Sequence, residues 1–270
     1  MKAKSDNIIL SAIVAIIVFL LSSCAIHVEK KNDGNTVEKA FNVEDFQSIR
    51  VRNDIDVVYS LSSTPSVMIT AGENVMKDIR VETDEDGVLI LSYKDEDHGK
   101  VFVLNSYTPD IKAVISGPAL SAISLEGSGE FTCKDTMRTE KFNVYVAGSG
   151  EVKMSCIEAE HFSGSIAGSG DMKIGEAHVG KAEMGIAGSG EIDATLFDTY
   201  STDVEIAGSG DVSIDFRNCN IARISIAGSG DVELKGTLFD LQQKISGSGD
   251  IRIQGLKTGV KYEGEMPKEQ

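Results

Sequence analysis

The stretch Ile206–Val212, with the sequence IAGSGDV, decides the fold because its pattern recurs along the chain. The tripeptide Gly-Ser-Gly occurs seven times, and successive first glycines are 21, 20, 20, 20, 20 and 19 residues apart. These first glycines are Gly127, Gly148, Gly168, Gly188, Gly208, Gly228 and Gly247. A fixed period of this size is typical of solenoid proteins, in which each repeat forms one coil of a stack.

Apolar residues alternate with polar residues on both sides of each tripeptide. Around Gly208, the apolar positions are Ile206, Val212 and Ile214, and the polar Ser213 separates the last two. A period of two indicates a strand with one face toward a core and the other toward solvent. We therefore expect two strands at each Gly-Ser-Gly, with the tripeptide as the bend between them. A third, less regular side completes the coil.

This pattern predicts an all-β fold, a right-handed parallel β-helix (a β-solenoid) with coils of about 20 residues. The hand follows from the twist of strands and of their crossover connections. A sharp corner needs backbone angles that glycine adopts without steric cost, so the corner glycines are expected to be structural. Those of the five central corners are Gly148, Gly150, Gly168, Gly170, Gly188, Gly190, Gly208, Gly210, Gly228 and Gly230.

The N-terminus has the features of a bacterial lipoprotein signal. Lys2 and Lys4 precede Ile8–Leu21, a nearly continuous apolar run. It is shorter than the about 20 residues that span a bilayer as a helix, so it predicts a secretory signal peptide. The run ends in Leu-Ser-Ser-Cys, which resembles a lipobox with Cys24 as the residue that receives a fatty acid such as palmitate. Residue 25 is alanine rather than aspartate, which by resemblance to other lipoproteins favours the outer membrane.

The rest of the chain divides by pattern. We expect residues 1–23 to be the lipoprotein signal peptide and the polar residues 24–40 to form a flexible tether. Residues 41–118 predict short, irregular β-strands. These are either wide coils that cap the N-terminal end of the solenoid, which we favour, or a small separate β domain. Residues 119–262 carry the regular repeats, and residues 263–270 form a polar tail.

The charge excludes several classes of partner. The formal net charge of −16 at pH 7 argues against nucleic acid, anionic lipid surfaces and polyanionic substrates. An acid follows every tripeptide: Glu130, Glu151, Asp171, Glu191, Asp211, Asp231 and Asp250. Calcium takes about six to eight oxygen ligands, and one carboxylate and one hydroxyl per coil provide only a partial site. We therefore expect no metal and no cofactor.

Other chemistry-bearing residues also lack the pattern of a site. Seven equivalent serines indicate architecture, because an active site needs one unique place. His161 and His178 stand 13 and 10 positions after the first glycines of their repeats, so they are not expected to stack as a metal site. The three cysteines that remain after Cys24 also occupy different positions in their repeats, and buried thiols are favoured over a disulfide. They are Cys133, Cys156 and Cys219.

The body of the chain resembles the head GIN domain family, bacterial exported proteins described as auto-transporter adhesins. The resemblance covers about Phe41–Gly255. It implies a β-helical fold, often in lipoproteins, and it transfers no catalytic residue. The features that carry it are Phe46 with Ile49 and Val51, the strand Ile55–Tyr59, the segment Asp86–Ile90, and the Ala-Gly-Ser-Gly-Asp/Glu corners from Ala147 onward.

These observations predict a lipid-anchored module of the cell envelope that serves in binding, adhesion or structure and is not an enzyme. Its expected partners are the membrane, through the N-terminal lipid, and a glycan or protein ligand at the cell surface. The alternative is a polysaccharide-processing enzyme on a β-helix scaffold, which rests on analogy of fold alone.

Overall fold

The computed structural model describes residues 35–93 and 110–259. The predicted β-solenoid is confirmed, because parallel coils stack into about seven turns and helix is almost absent from the described residues. The predicted signal peptide, Cys24 and the polar tail at 263–270 lie outside the described residues. The same is true of all but the last part of the predicted tether.

The described residues form sixteen strands and one short helix, α1, at Glu73–Met76. In chain order, the strands are β1 Thr36–Phe41, β2 Ser48–Arg52, β3 Ile55–Leu61, β4 Ser66–Gly72, β5 Ile79–Thr83, β6 Val88–Tyr93, β7 Ile111–Gly117, β8 Ala122–Gly127, β9 Glu130–Gly148, β10 Glu151–Gly168, β11 Asp171–Gly188, β12 Glu191–Phe197, β13 Ser201–Gly208, β14 Asp211–Gly228, β15 Asp231–Gly247 and β16 Asp250–Lys257.

Each regular coil runs from the acid after one corner to the next corner. Strands β9, β10, β11, β14 and β15 follow whole coils, and β12 and β13 together follow another. Equivalent residues pair in parallel, for example Ile166 with Ile186 and Gly168 with Gly188. The part of the coil for which we expected a looser side is also paired, so the ladder is more continuous than predicted.

Small irregularities absorb the differences in coil length. Between β9 and β10, Met154 pairs with Cys133, an offset of 21 residues, whereas Cys156 pairs with Thr136, an offset of 20. The register shift lies in the middle of the coil, away from the glycine corners. Corners and core rows therefore stay aligned even where neighbouring coils differ by one residue.

The core lies along the axis and is mainly aliphatic, as expected from the inward positions of the repeat. Phe142 and Phe162 stack inside it with ring centroids 6.4 Å apart, and both are at most 1% exposed. Gly164 also faces inward, and a Cβ placed there would lie 2.7 Å from Met172 Sδ and 3.0 Å from Phe162 Cζ. The absence of a side chain at Gly164 therefore leaves room in the core for the Phe162 ring of the same coil.

The N-terminal strands pair directly with the regular coils, but not in chain order. Strand β3 lies between β7 and β9, and β2 lies between β6 and β8. The β2–β3 segment is therefore inserted between two segments that follow it in sequence. Asn53 takes the corner position there, with a φ of 65°, and its amide donates to the carbonyl of Glu126 at 2.8 Å.

Antiparallel strands continue the ladder at its N-terminal end. Strand β4 pairs antiparallel with β7, β1 pairs antiparallel with β4, and β5 pairs antiparallel with β6. These strands provide hydrogen-bonding partners for the first parallel strands.

Candidate functional site

Each Gly-Ser-Gly corner is a point of close backbone contact between coils. The seven first glycines have φ between +119° and +155°. A Cβ on Gly208 would lie 2.2 Å from the carbonyl oxygen of Gly188. A Cβ on Gly210 would lie 2.6 Å from Ile186 Cγ2. The Ser209 amide donates to the Gly188 carbonyl at 2.8 Å, so the serine backbone makes this bond between coils.

The acids that follow the corners form one column on the outside of the solenoid. Asp171 pairs with Glu191, and Glu191 pairs with Asp211. The Asp231 amide donates to the Asp211 carboxylate at 2.9 Å, and the Asp250 amide donates to the Asp231 carboxylate at 3.1 Å. These bonds show that Asp211 and Asp231 accept hydrogen bonds from the backbone of the next coil.

Lysines neutralise the N-terminal end of this column. Lys153 contacts Glu151 at 2.7 Å and Glu130 at 3.2 Å. Lys173 contacts Glu151 at 2.8 Å. Burial raises the pKa of Glu151, but the hydrogen bonds from the two lysines outweigh this effect and hold its pKa below the ordinary carboxyl value. The Glu151 carboxylate is therefore bound to both lysines at neutral pH.

Arg252 neutralises the other end of the column, where its guanidinium lies 2.7 Å from Asp231. Between the two ends, three acids of the column, and Asp193 in the neighbouring outward row, form no ion pair with any described residue. We call this set the acidic patch: Asp171, Glu191, Asp193 and Asp211. Three of its members are exposed and Asp171 is half-buried. The patch thus concentrates negative charge on strands that are hydrogen-bonded to a neighbouring strand on both edges.

A second cluster of polar residues was not predicted from the sequence. Ligand atoms of Cys156, Glu176 and His178 all lie within 4.8 Å of one another. His161 and His178 lie in different columns of the ladder, as their positions in the repeat predict. One signal was present in the sequence, because Cys156 and Glu176 are 20 residues apart, which is one coil, and they pair across the ladder.

The other two described cysteines lie in the interior. Cys133 and Cys219 are buried, as the sequence predicted, whereas Cys156 is half-buried at the surface. Burial raises the pKa of the Cys133 thiol and raises that of Cys219 to about 11. Since the thiolate is the form that reacts and binds metals, Cys133 and Cys219 are poor candidates for surface chemistry.

A shallow depression of about 210 Å³ lies on another side of the coils. Its volume is below the about 300–1,000 Å³ that is typical of small-molecule pockets. Lys181 and Glu183, which line it, form an ion pair with each other. The other lining residues are Lys141, Asn143, His161, Phe162 and Ser163. The depression is therefore too small to enclose a typical small-molecule ligand and is better suited to contact with the surface of a larger partner.

These features define a parallel β-solenoid with exposed, charged faces. The chain belongs to the family described as "Putative auto-transporter adhesin, head GIN domain", whose model matches residues 45–218. No curated protein is significantly similar to the chain. Within residues 35–93 and 110–259, no helix has the length and hydropathy that a membrane crossing requires.

Solved structures share this architecture. A "putative adhesin" from Bacteroides fragilis is 21% identical, with a TM-score of 0.71 over 82% of this chain and 97% of its own. A "putative lipid binding protein" from Parabacteroides distasonis is 25% identical, with a TM-score of 0.63 over 82% of this chain and 97% of its own. The likeness to the Bacteroides fragilis structure, at 21% identity, concerns the fold alone.

Proposed function

We propose that this protein is a lipid-anchored module of the cell envelope that binds a surface partner in adhesion and performs no catalysis. Membership of the adhesin family and the resemblance of residues 21–24 to a lipobox support this proposal. The observation that carries the binding role is the acidic patch, whose mostly exposed carboxylates form no ion pair within residues 35–93 and 110–259.

The patch is suited to a partner that carries positive charge. Adjacent parallel strands are about 4.8 Å apart, and two unit charges at that separation repel by about 0.9 kcal/mol in bulk water. A cationic surface relieves this repulsion, and its approach is accelerated by the field of the patch. The partner we propose is a basic protein surface or an amine-bearing glycan.

The rigid ladder favours this use. The strands that carry Glu191 and Asp211 are paired on both edges, so the carboxylates are held in place before a partner arrives. Binding then requires little ordering of the backbone, which preserves affinity. Solenoids commonly use extended faces of this kind for recognition.

The binding role is tested by replacing the charges of the patch with isosteric amides. We expect the variant Glu191→Gln/Asp193→Asn/Asp211→Asn to bind at least about tenfold more weakly to the glycans or basic proteins that the native chain retains on an array. A reducing-end release assay on the same glycans is expected to show no product. Release of product at a rate that depends on the protein would contradict the non-catalytic role.

The matched control removes the same number of negative charges from the N-terminal part of the chain, in the variant Glu38→Gln/Glu82→Gln/Glu85→Gln. All three side chains are exposed. This variant should bind as the native chain does. If both variants lost the same binding affinity, the effect would come from net charge alone. That result would contradict the proposed role of the patch.

The lipid anchor is tested separately. Cys24→Ala is expected to abolish fatty-acid labelling and to release the protein from membranes, because the thiol of residue 24 is the proposed site of lipid attachment. Labelling with a fatty-acid analogue and fractionation after a carbonate wash measure both effects. Cys156→Ala is the control and should remain labelled and membrane-bound. A Cys24→Ala chain that stays with the membrane after the wash would refute the anchor.

A further inference from the structure

We propose that Cys156, Glu176 and His178 form a binding site for a zinc ion on the surface of the solenoid. Their ligand atoms lie within 4.8 Å of one another, and His178 Nε2 lies 3.7 Å from Glu176 Oε2. Ligand atoms around tetrahedral zinc are about 3.3–3.8 Å apart, since zinc bonds are about 2.0–2.3 Å long. Small side-chain rotations are therefore sufficient to bring the three atoms around one ion.

The stacking of coils places these side chains together. Cys156 on β10 pairs with Glu176 on β11, and His178 is two residues further along β11. The intervening residue, Ala177, is buried. This alternation directs Glu176 and His178 to the same outer face. Both strands belong to the continuous parallel ladder, so the backbone positions of all three residues are fixed before a metal arrives.

Neighbouring side chains orient the histidine and shape the local charge. The His178 ring stacks on Phe197 with centroids 4.7 Å apart and an angle of 18° between the planes. Glu158 pairs with His178 across the ladder. Its carboxylate is held by Arg138 through two hydrogen bonds of 2.8 and 2.9 Å. The Arg138–Glu158 ion pair carries no net charge, so the negative charge at the cluster comes from Glu176 and from the Cys156 thiolate that forms on metal binding.

The set of ligands selects the metal. One thiolate, one imidazole and one carboxylate combine a soft, a borderline and a hard donor, and the thiolate and imidazole suit zinc better than magnesium or calcium. Three protein ligands leave the fourth tetrahedral position for water or for a group from a partner. As the zinc–sulfur bond forms, the Cys156 thiol loses its proton to solvent. The site is independent of the acidic patch and of the adhesive role.

Cobalt, which occupies zinc sites and is visible by absorption, provides the test. The full chain is purified in detergent without a histidine tag, treated with chelator, desalted and titrated with Co²⁺. We expect one Co²⁺ per chain with thiolate-to-metal charge-transfer absorption in the near ultraviolet, and its loss when Zn²⁺ is added. Absence of saturable binding would overturn the proposal.

Three variants assign the site. Cys156→Ser should abolish the charge-transfer band, and Glu176→Gln and His178→Asn should each weaken binding at least about tenfold, since even indirect partners contribute that much. His161→Asn is the matched control, because His161 is also exposed but lies in another column. It should bind as the native chain does. A band that persists in Cys156→Ser, in protein with native circular dichroism, would place the metal elsewhere and contradict the proposal.

Discussion

Replacing Gly208 with alanine is expected to lower the free energy of unfolding by at least about 3 kcal/mol. Its φ is +138°, a region that residues with a side chain rarely adopt. The new Cβ would also lie 2.2 Å from the Gly188 carbonyl oxygen. That oxygen accepts the Ser209 amide at 2.8 Å, so the two coils can separate only by weakening this hydrogen bond.

The effect should extend beyond one corner. The coils are stacked in register, so a gap between the coils at Gly188 and Gly208 also displaces the neighbouring pairs Ile186–Ile206 and Ala187–Ala207. The stability of a solenoid depends on the interfaces between adjacent repeats, and a weakened interface lowers the stability of the repeats on both sides.

Gly185→Ala is the matched control, since Gly185 lies in the same strand as Gly188. A Cβ there would have its nearest neighbour 3.9 Å away, at the Glu205 carbonyl oxygen. This variant should be unchanged or more stable by about 0.4–1 kcal/mol, because alanine restricts the unfolded chain. Urea denaturation followed by circular dichroism measures both variants. Equal stabilities for Gly208→Ala and Gly185→Ala would show that close contact at the corner is unimportant.

Phe162→Ala is expected to lower the free energy of unfolding by about 3–5 kcal/mol. The side chain is 1% exposed and stacks on Phe142. In the next coil, the equivalent position holds Ala182, which is too small to fill the space that the ring leaves. The β-ladder keeps the coils at their strand spacing, so the backbone cannot collapse into the cavity.

Phe239→Ala provides the comparison, because it removes the same ring from a side chain that is 48% exposed. Its effect on the free energy of unfolding should stay within about 0.5 kcal/mol, as for most surface substitutions. The same denaturation experiment measures both variants. A loss at Phe239 as large as that at Phe162 would mean that burial in the coil does not determine the stability.

Much of the solenoid was predictable because its determinants are local and repeated. The alternation around Gly208 specifies a strand on each side of the corner, and the constant period aligns the corners of successive coils. The inward rows follow from that alternation, and they form the buried core. The continuous pairing in the middle of the coil was missed, because its register shifts interrupt the period there.

The candidate sites were predictable only in part. The acidic column follows from the repeat, but which of the described acids form ion pairs depends on where the Lys153, Lys173 and Arg252 side chains reach. Those contacts depend on side-chain length and on the register between coils. The cluster of Cys156, Glu176 and His178 combines two adjacent columns of the ladder, and no spacing between residues of one type reveals it.

The sequence by itself determined the coil, its corners and its core, because each depends on residues within one period. The tertiary structure alone decided the spatial order of the N-terminal strands, with β2 and β3 placed between segments that follow them in the chain. It also decided which polar side chains meet on the outer faces. Both depend on hydrogen-bond register between strands from separate parts of the chain, and local alternation of apolar and polar residues carries no information about that partner choice.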